Sequence, residues 1–358
     1  MQKVYNIVTI NGDGIGPEIV GAAQVVLAKI ADKYNVKFEY TRCLMGGESI
    51  DANGVPISDA DIEICKQSDA IILGAVGGPK WDKVDPSIRP ERGLLKLRKE
   101  LGLYANLRPI KVFDSLVEFS PLKADNVKGT DLLIVRELTG GIYFGARKEA
   151  YVEDGVEKAW DVEEYSRPEI ERIIQVAVNV AKVRSNKVTS VEKANVLASS
   201  RLWKKITEEF AAQETAVKFD SLYVDNCAMQ LVLKPKQFDV LVTNNIFGDI
   251  LSDEAAVIAG SIGMLPSASI GDGTAMYEPI HGSAPDIAGQ DIANPMGTIL
   301  SVAMMLKYSL DMQDAANDIE VAVNKFLDAG YRTADLYKDG YKKVGTVETG
   351  RIIAELIQ

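Results

Sequence analysis

Short apolar runs rich in β-branched residues alternate with amphipathic helical stretches along most of this 358-residue chain, and that alternation restricts its fold more than any other feature. VYNIVTI, DAIILGAV, DLLIVRE, KVTSV and FDVLVT are brief and bounded by turn residues, the pattern of buried strands. Between them, Ile19, Val20, Ala23, Val26, Leu27 and Ile30 keep to one helical face after Pro17, a residue suited to a first turn. Ile170, Ile173, Ile174, Ala177 and Val178 repeat the spacing, as do Ile319, Val323, Phe326 and Leu327 before Gly330 supplies a stop. This order predicts α/β layers around a largely parallel sheet. The charged segment 146–167, with Gly155 inside it, breaks the rhythm and reads as a loop or a protruding β arm.

A chain of this length suits one large or two medium domains. The net charge of −11 repels phosphate backbones and no basic run offsets it, so no nucleic-acid partner is expected. No apolar run reaches the length of a membrane span, and MQKVYNIVTI lacks the pattern of a signal peptide. Cys43, Cys65 and Cys227 lie far apart with no CxxC pair, as free thiols in a reducing compartment do. A cytoplasmic protein without membrane contact is the expectation. A single histidine, His281, leaves acid–base work mainly to Asp, Glu, Lys or Tyr.

NGDGIGPEI follows a strand and opens a helix, but its glycines stand at 12, 14 and 16 where a dinucleotide fingerprint needs the third at Pro17. It reads better as a tight turn. In RPERGLLKLRKELGLYANLRP, helical steps put Glu91, Leu94, Leu95 and Arg98 on one face, with Arg108 soon after. Leucines turned inward with solvated charges outward would explain that stripe equally well, except that Arg136 closes the strand LLIVRE, where a buried guanidinium needs an anion. Three converging arginines would clamp a dicarboxylate.

Tyr143 and Lys193 each follow the carboxyl end of a strand, the edge at which α/β folds bind ligands. A buried aromatic and a solvated lysine are the plain alternatives; Lys193 gains interest if it is partly buried. Asp249 and Asp253 stand one helical turn apart in FGDILSDEA, and Asp225 opens a helix in LYVDNCAMQ. Helix capping accounts for each aspartate alone. The three together suit Mg²⁺ or Mn²⁺, with no cysteine or histidine cluster to favour zinc. YEPIHGSAPDIAGQDIANP, from Tyr277 to Pro295, reads as a long loop of small residues able to approach a ligand, the alternative being a flexible surface connection.

These blocks, with GGPKWD, VRELTGGIYFG, VEKANVL, YVDNCAMQLV and GSIGMLPSAS, resemble the β-decarboxylating dehydrogenases, the family of isocitrate and isopropylmalate dehydrogenases, nearly end to end. The resemblance implies an α/β, two-domain, non-Rossmann fold with a β arm for dimerisation near 146–167. Its first domain would comprise 1–103 and 260–358, and its second 104–259. It implies NAD-dependent oxidative decarboxylation of (2R,3S)-3-isopropylmalate in leucine biosynthesis, with D-malate or homoisocitrate as the alternative substrates, by a homodimer with shared sites.

On the same resemblance, Arg98, Arg108 and Arg136 bind the malate carboxylates, and Glu91, Leu94 and Leu95 meet the isopropyl side. Asp249 and Asp253, with Asp225 of the second subunit, hold Mg²⁺ or Mn²⁺; Asp225 thereby also borders the substrate. Lys193, again of the second subunit, takes the hydroxyl proton, and Tyr143 returns a proton to carbon. Glu278, His281, Gly282, Ser283, Ala284, Asp286, Ile287 and Asn294 hold the adenosine half of NAD, with Asp286 opposing a 2′-phosphate. Glu192, where relatives have aspartate, and Cys227, where alanine is common, depart from the pattern beside working residues.

Overall fold

The computed structural model describes residues 2–358. Twelve strands matter here: β1 (Lys3–Gly12), β2 (Val36–Arg42), β3 (Ala70–Ala75), β4 (Ala105–Lys111), β5 (Asp131–Glu137), β6 (Arg147–Glu153), β7 (Val156–Asp161), β8 (Lys187–Glu192), β9 (Lys218–Tyr223), β10 (Val240–Thr243), β11 (Pro266–Ile270) and β12 (Met276–Pro279). The helices are α1 (Gly16–Tyr34), α2 (Gly47–Asn53), α3 (Asp59–Lys66), α4 (Pro90–Glu100), α5 (Ala124–Val127), α6 (Arg167–Lys182), α7 (Ala198–Gln213), α8 (Val224–Leu233), α9 (Asn245–Ile258), α10 (Met296–Tyr308), α11 (Gln313–Asp328) and α12 (Thr346–Leu356).

Ten strands form one sheet in the order β2-β1-β3-β12-β11-β4-β5-β10-β8-β9. Its outer blocks are parallel, as the alternating pattern predicts, and an antiparallel block from β12 to β5 joins them. Strands from the two ends of the sequence fill one half of the sheet, and strands from the middle fill the other. Wholly buried runs such as AIILGA in β3 and VLVT in β10 follow from helices covering both faces.

Within the segment 146–167, residues 147–161 form a β arm. β6 and β7 pair as a separate antiparallel hairpin whose side chains are exposed or half-exposed, including Val152, Val156 and Trp160. Asp154 and Gly155 at its tip both have positive φ, the backbone that a two-residue hairpin turn requires. One expectation needs correction. Tyr277, Glu278 and Pro279 belong to buried β12 and not to a loop, which begins at Ile280; hydrogen bonding to β11 and β3 overrides the turn-rich composition.

Candidate active site

The carboxyl end of β5 and the neighbouring strand β4 face helix α9. In the antiparallel register Asn106 lies opposite Arg136 and Arg108 opposite Ile134, so Arg108 and Arg136 share a face of the sheet. Gly248 of α9 sits over Arg136; a Cβ there would lie 2.6 Å from Arg136 Cγ, so only glycine admits the helix this close. Arg136 is 3% exposed. Its Nη1 donates to Asp249 Oδ1 at 2.5 Å, and its Nε and Nη2 donate to Asn245 Oδ1 at 3.1 and 2.7 Å. Arg108 donates to Asn106 Oδ1 and Ser252 Oγ, and its Nη1 lies 3.5 Å from Asp249 and 3.6 Å from Asp253.

Capping does not explain Asp249. Asn244 is the residue that caps α9, accepting from the Phe247 amide at 2.9 Å, whereas Asp249 lies a turn inside the helix and points at the arginines. Burial alone would raise the Asp249 pKa, but the charges of Arg136 and Arg108 outweigh it and hold the carboxyl below its ordinary value. Burial raises Asp253, with Arg108 opposing. Tyr143 donates its hydroxyl to Asp249 Oδ2 at 2.8 Å, and burial together with that carboxylate raises the phenol above 10.0. The tyrosine is therefore a phenol with a proton to give.

Arg98, on α4, is buried and donates through Nη2 to Glu278 of β12 at 2.6 Å. On the same helix Leu94 packs against the core cluster that contains Ile10, Met45 and Leu97, Leu95 is half-exposed, and the Glu91 carboxylate lies against Gly77. The structure thus brings together Arg98, Glu278, Arg108, Arg136, Tyr143, Asp249 and Asp253. Lys193 and Asp225 form a second group: Lys193 Nζ donates to Asp225 Oδ1 at 2.7 Å, and neither bonds to the arginine cluster. The Lys193 side chain is 24% exposed, and its hydrogen bond lowers the Asp225 pKa.

Among the described residues of the single chain, no three His, Cys, Asp or Glu side chains gather as a metal set. Asp249 and Asp253 supply two oxygen donors on adjacent turns, which suits a hard cation that takes few protein ligands.

The segment after β12 is pinned and not a loose surface connection. Ser283 Oγ donates to the Gly77 carbonyl at 2.8 Å, the Ile15 amide donates to the Ser283 carbonyl at 2.8 Å, and Asn294 Nδ2 donates to Asp335 at 3.1 Å. Ala284 is held at φ 38°, an uncommon backbone for an L-residue. Ile287 packs on Ile15 and Ile19, while Gly282 and Asp286 are exposed. His281 Nδ1 lies 2.9 Å from the Gly282 carbonyl; because a carbonyl only accepts, that nitrogen carries the proton. Nε2 is then a bare acceptor, enclosed and without a partner, and burial lowers the imidazole pKa below 6.5. Exposed Asp286 offers a carboxylate to a ligand that brings O–H groups, as a ribose does, whereas the enclosed Nε2 has first to be uncovered before it can accept from one.

Two positioning groups escaped notice in the sequence. Asp13, read only as part of a tight turn, accepts from the amides of Gly47, Glu48 and Gly77 at 2.8, 2.8 and 2.7 Å. It ties the first turn of α2 to the loop after β3 whose Gly77 meets Glu91 and Ser283. Glu192, noted only as a departure beside Lys193, is buried and accepts from the Ala194 amide and from Ser221 Oγ, which orients the turn carrying Lys193. Neither carboxylate has a sequence signal, since its partners are amides and hydroxyls supplied by the fold.

This fold and site define a class of oxygen-rich, arginine-lined α/β enzymes represented among solved structures. The isocitrate dehydrogenase from Methylococcus capsulatus superposes with a TM-score of 0.88 at 36% identity, covering 99% of both chains. A β-decarboxylating dehydrogenase from Thermococcus kodakarensis gives 0.80 at 39%, covering 99% of this chain and 96% of that one. The chain belongs to the isocitrate/isopropylmalate dehydrogenase family, whose pattern matches residues 6–353. Among curated relatives, the 3-isopropylmalate dehydrogenase of Clostridium acetobutylicum is 58% identical over 358 residues, 99% of this chain and all of that one. That of Aquifex aeolicus is 56% identical over 356 residues, 99% of this chain and 98% of that one. Among the described residues, no helix is long and apolar enough to cross a membrane.

Proposed function

We propose that the chain catalyses NAD⁺-dependent oxidative decarboxylation of (2R,3S)-3-isopropylmalate to 4-methyl-2-oxopentanoate and CO₂, the step its relatives' names describe in leucine biosynthesis. The observation that carries this reading is the meeting of Arg98, Arg108 and Arg136 with Tyr143 and the Asp249 carboxylate. Guanidinium groups bind the two carboxylates of the acid. Leu94 and Leu95 offer the isopropyl group an apolar wall, where a third carboxylate, as in homoisocitrate, would be desolvated without a partner. The same wall disfavours D-malate, which leaves it uncovered.

Asp249 and Asp253 of one protomer, with Asp225 of another, would hold Mg²⁺ or Mn²⁺, and the segment from Glu278 to Asn294 would hold NAD. When bound, the cation neutralises developing negative charge and the dinucleotide accepts the hydride. Lys193 accepts the hydroxyl proton as a neutral amine, so its ammonium must first release a proton to solvent and give up the contact with Asp225. The arginines keep the acid in place while the bond to the β-carboxylate breaks and CO₂ departs. Tyr143, protonated against Asp249, then gives its proton to the carbon that lost the carboxylate. The segment that carries His281 would border the adenosine half, and exposed Asp286 disfavours a 2′-phosphate.

Shared sites require a homodimer, and the surface supports one. Met229, Leu233, Ile250 and Val257 on α8 and α9 are each more than half exposed, and the β6–β7 arm has no partner within the chain. We divide the chain at 103/104 and 259/260, where the two halves of the sheet meet. Three buried free thiols suit a reducing, cytoplasmic setting. The test is the rate of NADH formation with 3-isopropylmalate, D-malate, homoisocitrate and isocitrate, each with and without a chelator. Highest kcat/KM for 3-isopropylmalate, lost with the chelator, is expected; equal turnover of D-malate refutes the substrate assignment.

A further inference from the structure

The strands that carry the arginines have a second face. In β4 and β5, Arg108 and Arg136 point toward α9, and strand alternation sends Pro109, Lys111, Asp131 and Leu133 to the opposite side. A cavity of about 280 Å³ opens there, behind the site, between β4 and β5, the end of α6, and α10 and α11. That size falls just below the range of about 300–1,000 Å³ usual for small-molecule pockets, so only a compact ligand fits. Its apolar wall is Leu133, Val180, Met264, Leu300, Met304 and the ring of Tyr308.

Charge at its mouth is unbalanced. Asp131 is already engaged by Arg184 at 2.6 Å, and Arg184 also donates to Asp239 at 2.8 Å. Of the remaining charged groups, Lys111 and Lys307 have no ion-pair partner among the described residues. Their ammonium groups lie 5.7 Å from the Phe113 ring centre and 5.5 Å from that of Tyr308. Glu320 is the one carboxylate there without an ion-pair partner among the described residues. Counted over the lining, Lys111, Arg184 and Lys307 against Asp131 and Glu320 leave one positive charge in excess, with Asp239, which shares Arg184, outside the lining; the two unpaired ammonium groups present that charge beside an apolar hollow.

We propose that this cavity binds a small monocarboxylate with an aromatic or branched apolar body, its carboxylate between Lys111 and Lys307 and its body against Leu133 and Met304. The chemistry that fits is one charge and one compact apolar group. A dicarboxylate brings a second anion that has only apolar wall or Glu320 to face. Because the cavity and the arginine cluster lie on opposite faces of the same strands, this ligand and a site-bound acid occupy the protein together.

The experiment uses the full chain labelled with ¹³C at its methionine methyl groups, with Met304→Leu to assign the Met304 signal, and 3-phenylpropanoate as the probe. A saturable shift of the Met304 methyl signal is expected. Lys111→Gln and Lys307→Gln should each raise the dissociation constant about tenfold, the loss of one charge-assisted contact. Both lysines are exposed, so an unchanged thermal midpoint verifies folding. The neutral 3-phenylpropan-1-ol should bind at least as much more weakly. An unmoved Met304 signal at the solubility limit, equal affinity in the lysine variants, or equal affinity for the alcohol would each overturn the proposal. No readout involves turnover, so the proposed activity stands or falls separately.

Discussion

Arg98 Nη2 and Glu278 Oε1 are 2.6 Å apart, a buried ion pair between residues 180 positions apart in sequence. One belongs to the group expected to grip the acid and the other to the group expected to hold the dinucleotide. Their side chains are only 8% and 11% exposed, so removing one partner leaves a desolvated charge. Glu278→Ala should lower the unfolding free energy in urea by about 3 kcal/mol. Adding Arg98→Met should recover part of that loss, whereas additive effects would show that the pair is not coupled.

Tyr143→Phe removes the hydroxyl that donates to Asp249 while keeping the ring. We expect kcat to fall about a hundredfold, the usual size of a lost proton donor, with little change in KM. Burial and Asp249 hold the phenol above 10.0, so the native enzyme should keep its turnover up to that pH with no earlier loss from this group. A pH profile of kcat for both proteins checks this.

Lys193→Met should abolish turnover and leave the dissociation constant for NADH, read by fluorescence, largely unchanged. Near-native kcat would remove Lys193 from its role. Mixing Lys193→Met with an Asp249→Asn variant should regain activity if the sites are shared, because one of the two sites in the mixed dimer is then intact.

His281 is the only histidine, so its imidazole proton signals are unambiguous. Burial depresses the folded pKa below the 6.5 of the unfolded chain. Between those two values the unfolded state binds more protons, so stability is lost as the pH falls from 6.5 through the folded pKa. The NMR titration midpoint should therefore lie below 6.5, and His281→Asn should flatten the decline of the urea midpoint in that window.

Asp13→Ala would orphan three amides, those of Gly47, Glu48 and Gly77. At about 1–3 kcal/mol for each buried donor left unpaired, a loss of at least about 3 kcal/mol is expected. Asp13→Asn retains one acceptor oxygen and should lose less. Equal stability of both variants with the native chain would show that solvent replaces the carboxylate.

The sequence by itself determined the strands and helices whose burial follows from local period, because a face that must leave water is written in the spacing of its apolar residues. It also carried the motifs that mark Arg98, Arg108, Arg136, Tyr143, Lys193 and the aspartates, since each sits in a contiguous block. It misassigned Tyr277 to Pro279, whose strand exists only through pairing with β11 and β3. Tertiary structure alone decided that Asn244 caps α9 and leaves Asp249 free to face Arg136, that Glu278 answers Arg98, that Asp13 ties the start of α2 to the loop after β3, and that Glu192 holds the turn carrying Lys193. The physical reason is common to all of them. Each depends on an unpaired donor or charge finding its partner across the fold, and sequence spacing is silent about which distant groups become neighbours once the chain has packed.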